Sequence, residues 1–208
     1  FSGAIHHADN DLQEGDVVRV VSIQGMFIAI GHWQIGSIAI RVLSFEDEKI
    51  DEEFYCKRLK SALDVRNSIG LLRGNCTDET NINTTYRLIH GEGDNMPGLV
   101  IDIYGDTAVM QAHSVGMHVD RMIIAQSLKK IMGDSLKSVY YKSETTLPFK
   151  ADLGQENGFL IGSSHNDIAI ENGLKFHIDW LKGQKTGFFV DQRDNRTLLE
   201  HYSKGRKV

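Results

Sequence analysis

The chain has 208 residues, enough for one large domain or two small ones around a real hydrophobic core. Hydrophobic residues make up 41%, charged residues 25%, and prolines number only two, a balance that excludes a disordered or low-complexity protein. A net charge of −5 excludes polyanion binding by bulk charge, and no apolar run approaches the ~20 residues of a membrane helix.

In chain order, residues 16–43 predict three short strands, "DVVRVVS", "MFIAIG" and "SIAIRVLS", separated by "IQG" and "HWQIG". Three strands so closely spaced suggest a small barrel or sandwich rather than βαβ units. The acidic connector "EDEKIDEE" follows, and Asp51 is placed to cap a helix over 54–69 with Tyr55, Leu59, Ala62 and Leu63 at helical spacing. "GNCTDETNINTT" (74–85) reads as a polar loop and a domain boundary. Next come a strand over 86–90, the turn "GEGDNMPG", and a hairpin of strands 99–104 and 108–113 turning at Gly105-Asp106.

Residues 116–132 predict one amphipathic helix with Val119, Met122, Ile123 and Ile131 at apolar positions and Gly133 as C-cap. "SVYYKSE", "FLIG", "IAIEN" and "KFHIDW" predict further strands, so the second unit is α+β. Asp191 is expected to cap a last helix bearing Leu198, Leu199 and Tyr202 and ending at Gly205, with "RKV" starting another strand. Phe1 in place of Met, and a helix and strand begun at the far end, suggest that the chain is cut from a longer one at both ends.

Charge is uneven. Residues 180–208 hold 7 basic and 3 acidic side chains, whereas residues 1–66 hold 7 and 11 and residues 67–179 hold 9 and 14. A basic tail of this kind marks an anionic partner or serves solubility. Cys56 and Cys76, with no CxxC between them and no secretory signal, read as two free cytosolic thiols.

Several stretches offer chemistry. "KGQKTG" fails the phosphate-loop pattern, because Gln184 separates Gly183 from Lys185 and the earlier glycine is missing. In "HGEGD", His90, Glu92 and Asp94 alternate and could converge on a metal, although glycine-flanked acids are more often turn formers. The same acids could accept from nucleobases. Cys56 has no neighbouring His and reads as a structural thiol rather than a nucleophile. In "GQKTGFFVDQRDNR", Lys185 and Thr186 offer donors, Gly187 lets the backbone approach closely, Phe188 and Phe189 could stack on a heterocycle, and Gln192 and Arg193 add an amide and a bidentate cation. A strand with two core phenylalanines before a capped helix accounts for the same residues equally well.

Together, "FSGAI", "GDVVRVVS…GMFIAIG…GSIAIRVLS", "YRLIHGEGDNMPGLVIDIYGD" and "KTGFFVDQRDNR" resemble bacterial 23S ribosomal RNA large-subunit methyltransferases. The resemblance is to the class with an N-terminal PUA domain that makes 5-methylcytosine using S-adenosylmethionine (SAM). It implies a multi-domain α+β protein: a PUA-like small β-barrel at 1–66, a central α+β domain at 67–182, and at 183–208 the first edge of a Rossmann-like methyltransferase domain. It further implies that Lys185, Thr186, Gly187, Phe188, Gln192 and Arg193 border SAM and the target base. Arg87, Glu92, Asp94 and Asp191 would meet the RNA. The family's SAM loop and its catalytic cysteines are expected beyond Val208, so no catalytic residue and no tightly held SAM are expected in this chain. In that chemistry a cysteine thiolate adds to C6 of cytosine and makes C5 nucleophilic toward the SAM methyl group. The partner implied is ribosomal RNA, reached in the cytoplasm and not at a membrane; oligomeric state is open, a homodimer among the options. Two other readings stand beside this one: a non-catalytic RNA-binding module, and a metal-dependent hydrolase built on His90, Glu92 and Asp94.

Overall fold

The computed structural model describes residues 1–71, 83–147, 153, 156–163 and 167–207. Strands β1 (Val17–Val21), β2 (Phe27–Trp33) and β3 (Ile40–Ser44) form an antiparallel sheet in that order. β-Branched residues favour the extended backbone here, and Gly25 (φ 79°) provides the left-handed residue of the first turn. Asp51 caps helix α1 (Glu52–Ser68) as predicted, accepting from the Glu53 and Phe54 amides at 3.0 and 3.3 Å. The buried face of α1, Phe54, Tyr55, Leu59 and Ala62, lies in the same core as the sheet that follows it.

That sheet has five strands in the order β4 (Thr85–His90), β5 (Leu99–Tyr104), β6 (Thr107–Ala112), β7 (Ser138–Tyr141) and β8 (Gly158–Ile161). All neighbours are antiparallel except β6 and β7. A parallel pair needs a crossover, and helices α2 (Val115–Val119) and α3 (Arg121–Met132) provide it. One face of the sheet, with Ile101, Ile103, Met110 and Tyr141, packs against α1 and α3 in the main core. The other face carries a smaller cluster in which Tyr104, Val109 and Tyr140 meet Ala169, Ile178 and Trp180. These last residues belong to the hairpin of β9 (Ile168–Glu171) and β10 (Leu174–His177) and the segment after it, closed at Asn172-Gly173 (φ 49° and 79°). Helix α4 (Arg193–Ser203) ends the described chain.

The structure departs from the predicted elements at several points. The helix expected over 116–132 is broken at Asp120, whose carboxylate is drawn to His32 Nε2 (3.0 Å) and the Tyr55 hydroxyl. Arg121 Nη1 satisfies the freed His118 carbonyl at 2.7 Å. Val119 and Met122 are therefore 53% and 42% exposed, and Ile124, Ala125 and Leu128 form the buried stripe. Asp191 does not cap α4: Gln192 holds that position without a side-chain cap, and Asp191 lies in a 3-10 turn over Val190–Gln192. Arg206 and Lys207 form no strand, and Val208 lies outside the described residues, as does most of the predicted loop at 74–85 with Cys76. No helix among the described residues is long and apolar enough to cross a membrane.

Candidate functional site

Asp102 is the one charged residue in the apolar run "LVIDIY", and the strand pleat turns it away from the main core. There it is completely buried and lies opposite Arg87 across the β4–β5 pair. Arg87 donates twice to the carboxylate, Nε at 2.8 Å and Nη2 at 2.9 Å, and these bonds hold the guanidinium pKa above its ordinary value. Thr186 Oγ1 donates to the same carboxylate at 2.6 Å. With its single proton spent, the Thr186 hydroxyl accepts from Tyr104 Oη at 2.9 Å. Burial, then the Asp102 charge, pushes the Tyr104 phenol far up, so it remains a neutral donor.

The Lys-Thr-Gly turn is thus fastened to the sheet by a buried polar chain. Its backbone is equally constrained. A Cβ on Gly187 (φ 112°) would lie 2.5 Å from Trp180 Cα, so only glycine lets the turn close against that residue. Gly187 donates to the Gln184 carbonyl at 2.8 Å, and Lys142 Nζ donates to the Gly183 carbonyl at 2.5 Å.

The expected site residues separate into two groups. Thr186 is buried; Phe188 packs on Phe176 with Arg196 4.2 Å from its ring centroid; Arg193 donates to the Thr85 carbonyl and to Glu171 Oε2 at 3.5 Å. These three are spent inside the fold. Lys185, Asp191 and Gln192 are exposed, with Lys185 Nζ 4.9 Å from the Phe189 ring centroid and Gln192 bonded to Asp191 and Asn195. Arg87 reaches from the buried network to the surface, where it donates to His90 Nδ1 at 3.3 Å and feels the Asp191 charge.

Glu92 is exposed and accepts from Arg41 Nη1 at 3.3 Å. Asp94 turns elsewhere: it pairs with both terminal nitrogens of Arg66, Nη2 at 2.8 Å, and accepts from the His90 amide at 2.6 Å. The acids of "HGEGD" therefore diverge, and among the described residues no group of three or more His, Cys, Asp or Glu could hold a metal ion. The hydrolase reading loses its ligand set. Cys56 points its thiol at the Ser127 carbonyl, 3.9 Å away between α1 and α3, a structural setting for a free cysteine.

Sequence reasoning missed Asp102, Tyr104 and Glu171, although a lone acid inside an apolar strand is a legible signal for the first and third. It also missed Arg41 and His113. Burial lowers the His113 pKa, the cations of Arg87 and Arg41 lower it further, and Glu92 opposes them. Arg41, Arg87, Glu92, His113 and Asp191 thus lie near enough to feel one another's charge, a mixed group running from the three-stranded sheet to the 3-10 turn at Val190–Gln192.

Residues 1–45 match the family model of a PUA-like domain. The whole chain is similar to Ribosomal RNA large subunit methyltransferase I of Aeromonas salmonicida, at 33% identity over 212 residues, and to that of Tolumonas auensis, at 34% over 213. It spans about half the length of these curated relatives, 51% of each, and 100% of this chain is aligned. The fold is similar to a crystal structure described as a methyltransferase complexed with SAH, with a TM-score of 0.71 at 20% identity over 91% of this chain and 46% of that one. A second such structure, described as a SAM-dependent methyltransferase from Streptococcus mutans, also superposes with a TM-score of 0.71 at 20% identity, over 92% and 46%. The architecture is accordingly an α+β fold with a PUA-like domain and methyltransferase structural neighbours.

Proposed function

We propose that the chain belongs to a SAM-dependent methyltransferase of large-subunit ribosomal RNA that modifies C5 of a cytosine in the cytoplasm. The observation that supports this reading is the similarity, over the whole of this chain and at about one-third identity, to proteins named as large-subunit ribosomal RNA methyltransferases. In this reading the domains run from a PUA-like module through a central α+β domain to the edge of a methyltransferase domain at 183–208. The packing of α1 on the five-stranded sheet favours a first boundary ahead of Glu52 rather than at residue 66. Ribosomal RNA would lie along the patch of Arg41, Arg87, Glu92, His113 and Asp191, with Asp94 bracing that turn through Arg66.

SAM, when bound, supplies the methyl group. The residues present fit its rim in part: Lys185, Asp191 and Gln192 face outward, while Thr186, Phe188 and Arg193 serve to fix the shape of the turn that presents them. Because those three are committed inside the fold, we expect this 208-residue chain to hold SAM weakly. The deciding experiment is bisulfite mapping of large-subunit RNA from cells lacking the gene. One 5-methylcytosine should disappear and return on complementation; an unchanged methylation map defeats the reading.

A further inference from the structure

An open pocket of about 450 Å³ lies between the end of β3, the first half of α1 and the turn that follows β4. That volume is in the range of small-molecule sites, ~300–1,000 Å³, and admits a single nucleoside but no folded element. Its walls differ in chemistry. Phe45 stands at the rim, 76% exposed, in the position of a stacking plate rather than a core residue. Glu48 presents a carboxylate whose Oε1 accepts from the Ser44 hydroxyl at 2.5 Å, with Lys57 and Arg58 3.8 and 3.9 Å away. Arg58 is held by the Leu43 carbonyl at 3.1 Å and by the Phe54 ring, 5.0 Å from its centroid. Its Nε is buried away from the pocket without a partner among the described residues, and the 23% of the side chain that remains exposed is what a ligand can reach.

We propose that this pocket takes one unstacked nucleobase of the RNA and selects guanine. A carboxylate only accepts, and guanine alone offers it two adjacent donors, N1–H and the 2-amino group, on its Watson–Crick edge. The exposed part of the Arg58 guanidinium complements the acceptor oxygen next to them. Uracil offers a single donor, N3–H, between two carbonyls that oppose the carboxylate, and binds more weakly. Phe45 stacks on the base, and the exposed Lys57 meets a flanking phosphate. The inference rests on the RNA-methyltransferase reading but concerns a site apart from the Lys-Thr-Gly turn.

The test is fluorescence anisotropy with the 208-residue chain and two single-stranded RNAs, an oligouridine and the same strand with one central guanosine. The guanosine strand should bind roughly tenfold tighter. Phe45→Ala should remove about that factor, and Glu48→Gln should make the two strands equal. Lys57→Ala should weaken both and reduce the salt slope by about one. Phe45 is exposed and Glu48→Gln is isosteric, so circular dichroism should show both variants folded. Equal binding of the two strands by the unaltered chain, or a guanosine preference that survives both substitutions, overturns the pocket while leaving the RNA reading intact. Failure of the unaltered chain to bind either RNA removes both.

Discussion

Arg87 and Asp102 face each other on neighbouring strands and share two hydrogen bonds, from a guanidinium that reaches solvent to a carboxylate that does not. The same carboxylate accepts from Thr186, more than eighty residues further along the chain, so the sheet and the Lys-Thr-Gly turn are one polar unit. Removing the arginine leaves a buried anion that still accepts from the Thr186 hydroxyl but has lost its cation, and breaking such pairs costs about 3–5 kcal/mol. Because water reaches Arg87, Arg87→Met should fall at the lower end, about 3 kcal/mol, in urea denaturation. Arg87→Lys should recover only part, since an ammonium cannot make two parallel bonds. A loss below about 0.5 kcal/mol for Arg87→Met would show that the network contributes nothing net.

Tyrosine ionisation gives the pH dependence. Burial raises the phenol pKa of Tyr55, Tyr86, Tyr104, Tyr140 and Tyr141, five of the six tyrosines, and Tyr86 is pushed up to about 12. In the unfolded chain a phenol loses its proton near pH 10. Between pH 10 and about 12 the folded chain therefore holds more protons than the unfolded one, and stability falls as pH rises. The stabilisation is fully present below pH 10. Absorbance at 295 nm should show most tyrosines titrating only with a cooperative unfolding step above pH 10, and all six titrating near their ordinary pKa in guanidinium. Smooth titration of the native chain with five or more phenols near pH 10 contradicts this burial.

Strand positions, the Asp51 cap and the Gly105 turn were legible because each depends on local chemistry: β-branched alternation, a side-chain oxygen over free amides, a residue tolerant of left-handed backbone. The break at Asp120 was not, because it is caused by His32 and Tyr55, which sequence separation hides. The site shows the same division. "KTGFFVDQRDNR" stood out as polar and aromatic, yet whether Thr186 and Arg193 face a ligand or the fold depends on Asp102 and Glu171, acids placed by strand register. Residue types announce such a loop, whereas pairing across the sheet decides what its side chains do.

The three-stranded sheet is seated on α2 at a point with no spare room. A Cβ on Gly116 would lie 2.1 Å from His32 Cγ, and His32 is itself buried and tied to Asp120. Overpacking typically costs about 1–3 kcal/mol, and here relief requires His32 to leave its partner as well. Gly116→Ala should therefore lower the thermal midpoint by several degrees, whereas Gly3→Ala, with open space around it, should leave it unchanged. Equal midpoints for the two variants would mean that the sheet is not seated on α2 as described.

Helix α4 buries none of its side chains, and Leu198, Leu199 and Tyr202 are exposed, so apolar packing contributes little to holding it in place. Its tether is Glu171 on β9, a buried carboxylate that accepts from Arg196 Nε at 2.6 Å and Nη2 at 2.7 Å and also pairs with Arg193. Arg196 further donates to the Phe189 carbonyl at 3.0 Å and covers the Phe188 ring, which couples the helix to the loop before it. Glu171→Gln removes the charge both arginines face but keeps the shape. Since each arginine can turn toward water, the consequence should be local opening rather than global unfolding. Amide exchange in α4 should accelerate by about ten- to a hundredfold, corresponding to roughly 1.4–2.8 kcal/mol, while β5 and β6 keep their protection. Uniform acceleration across β5, β6 and α4 would place Glu171 in the global core instead, and no change in α4 would show that another contact holds the helix.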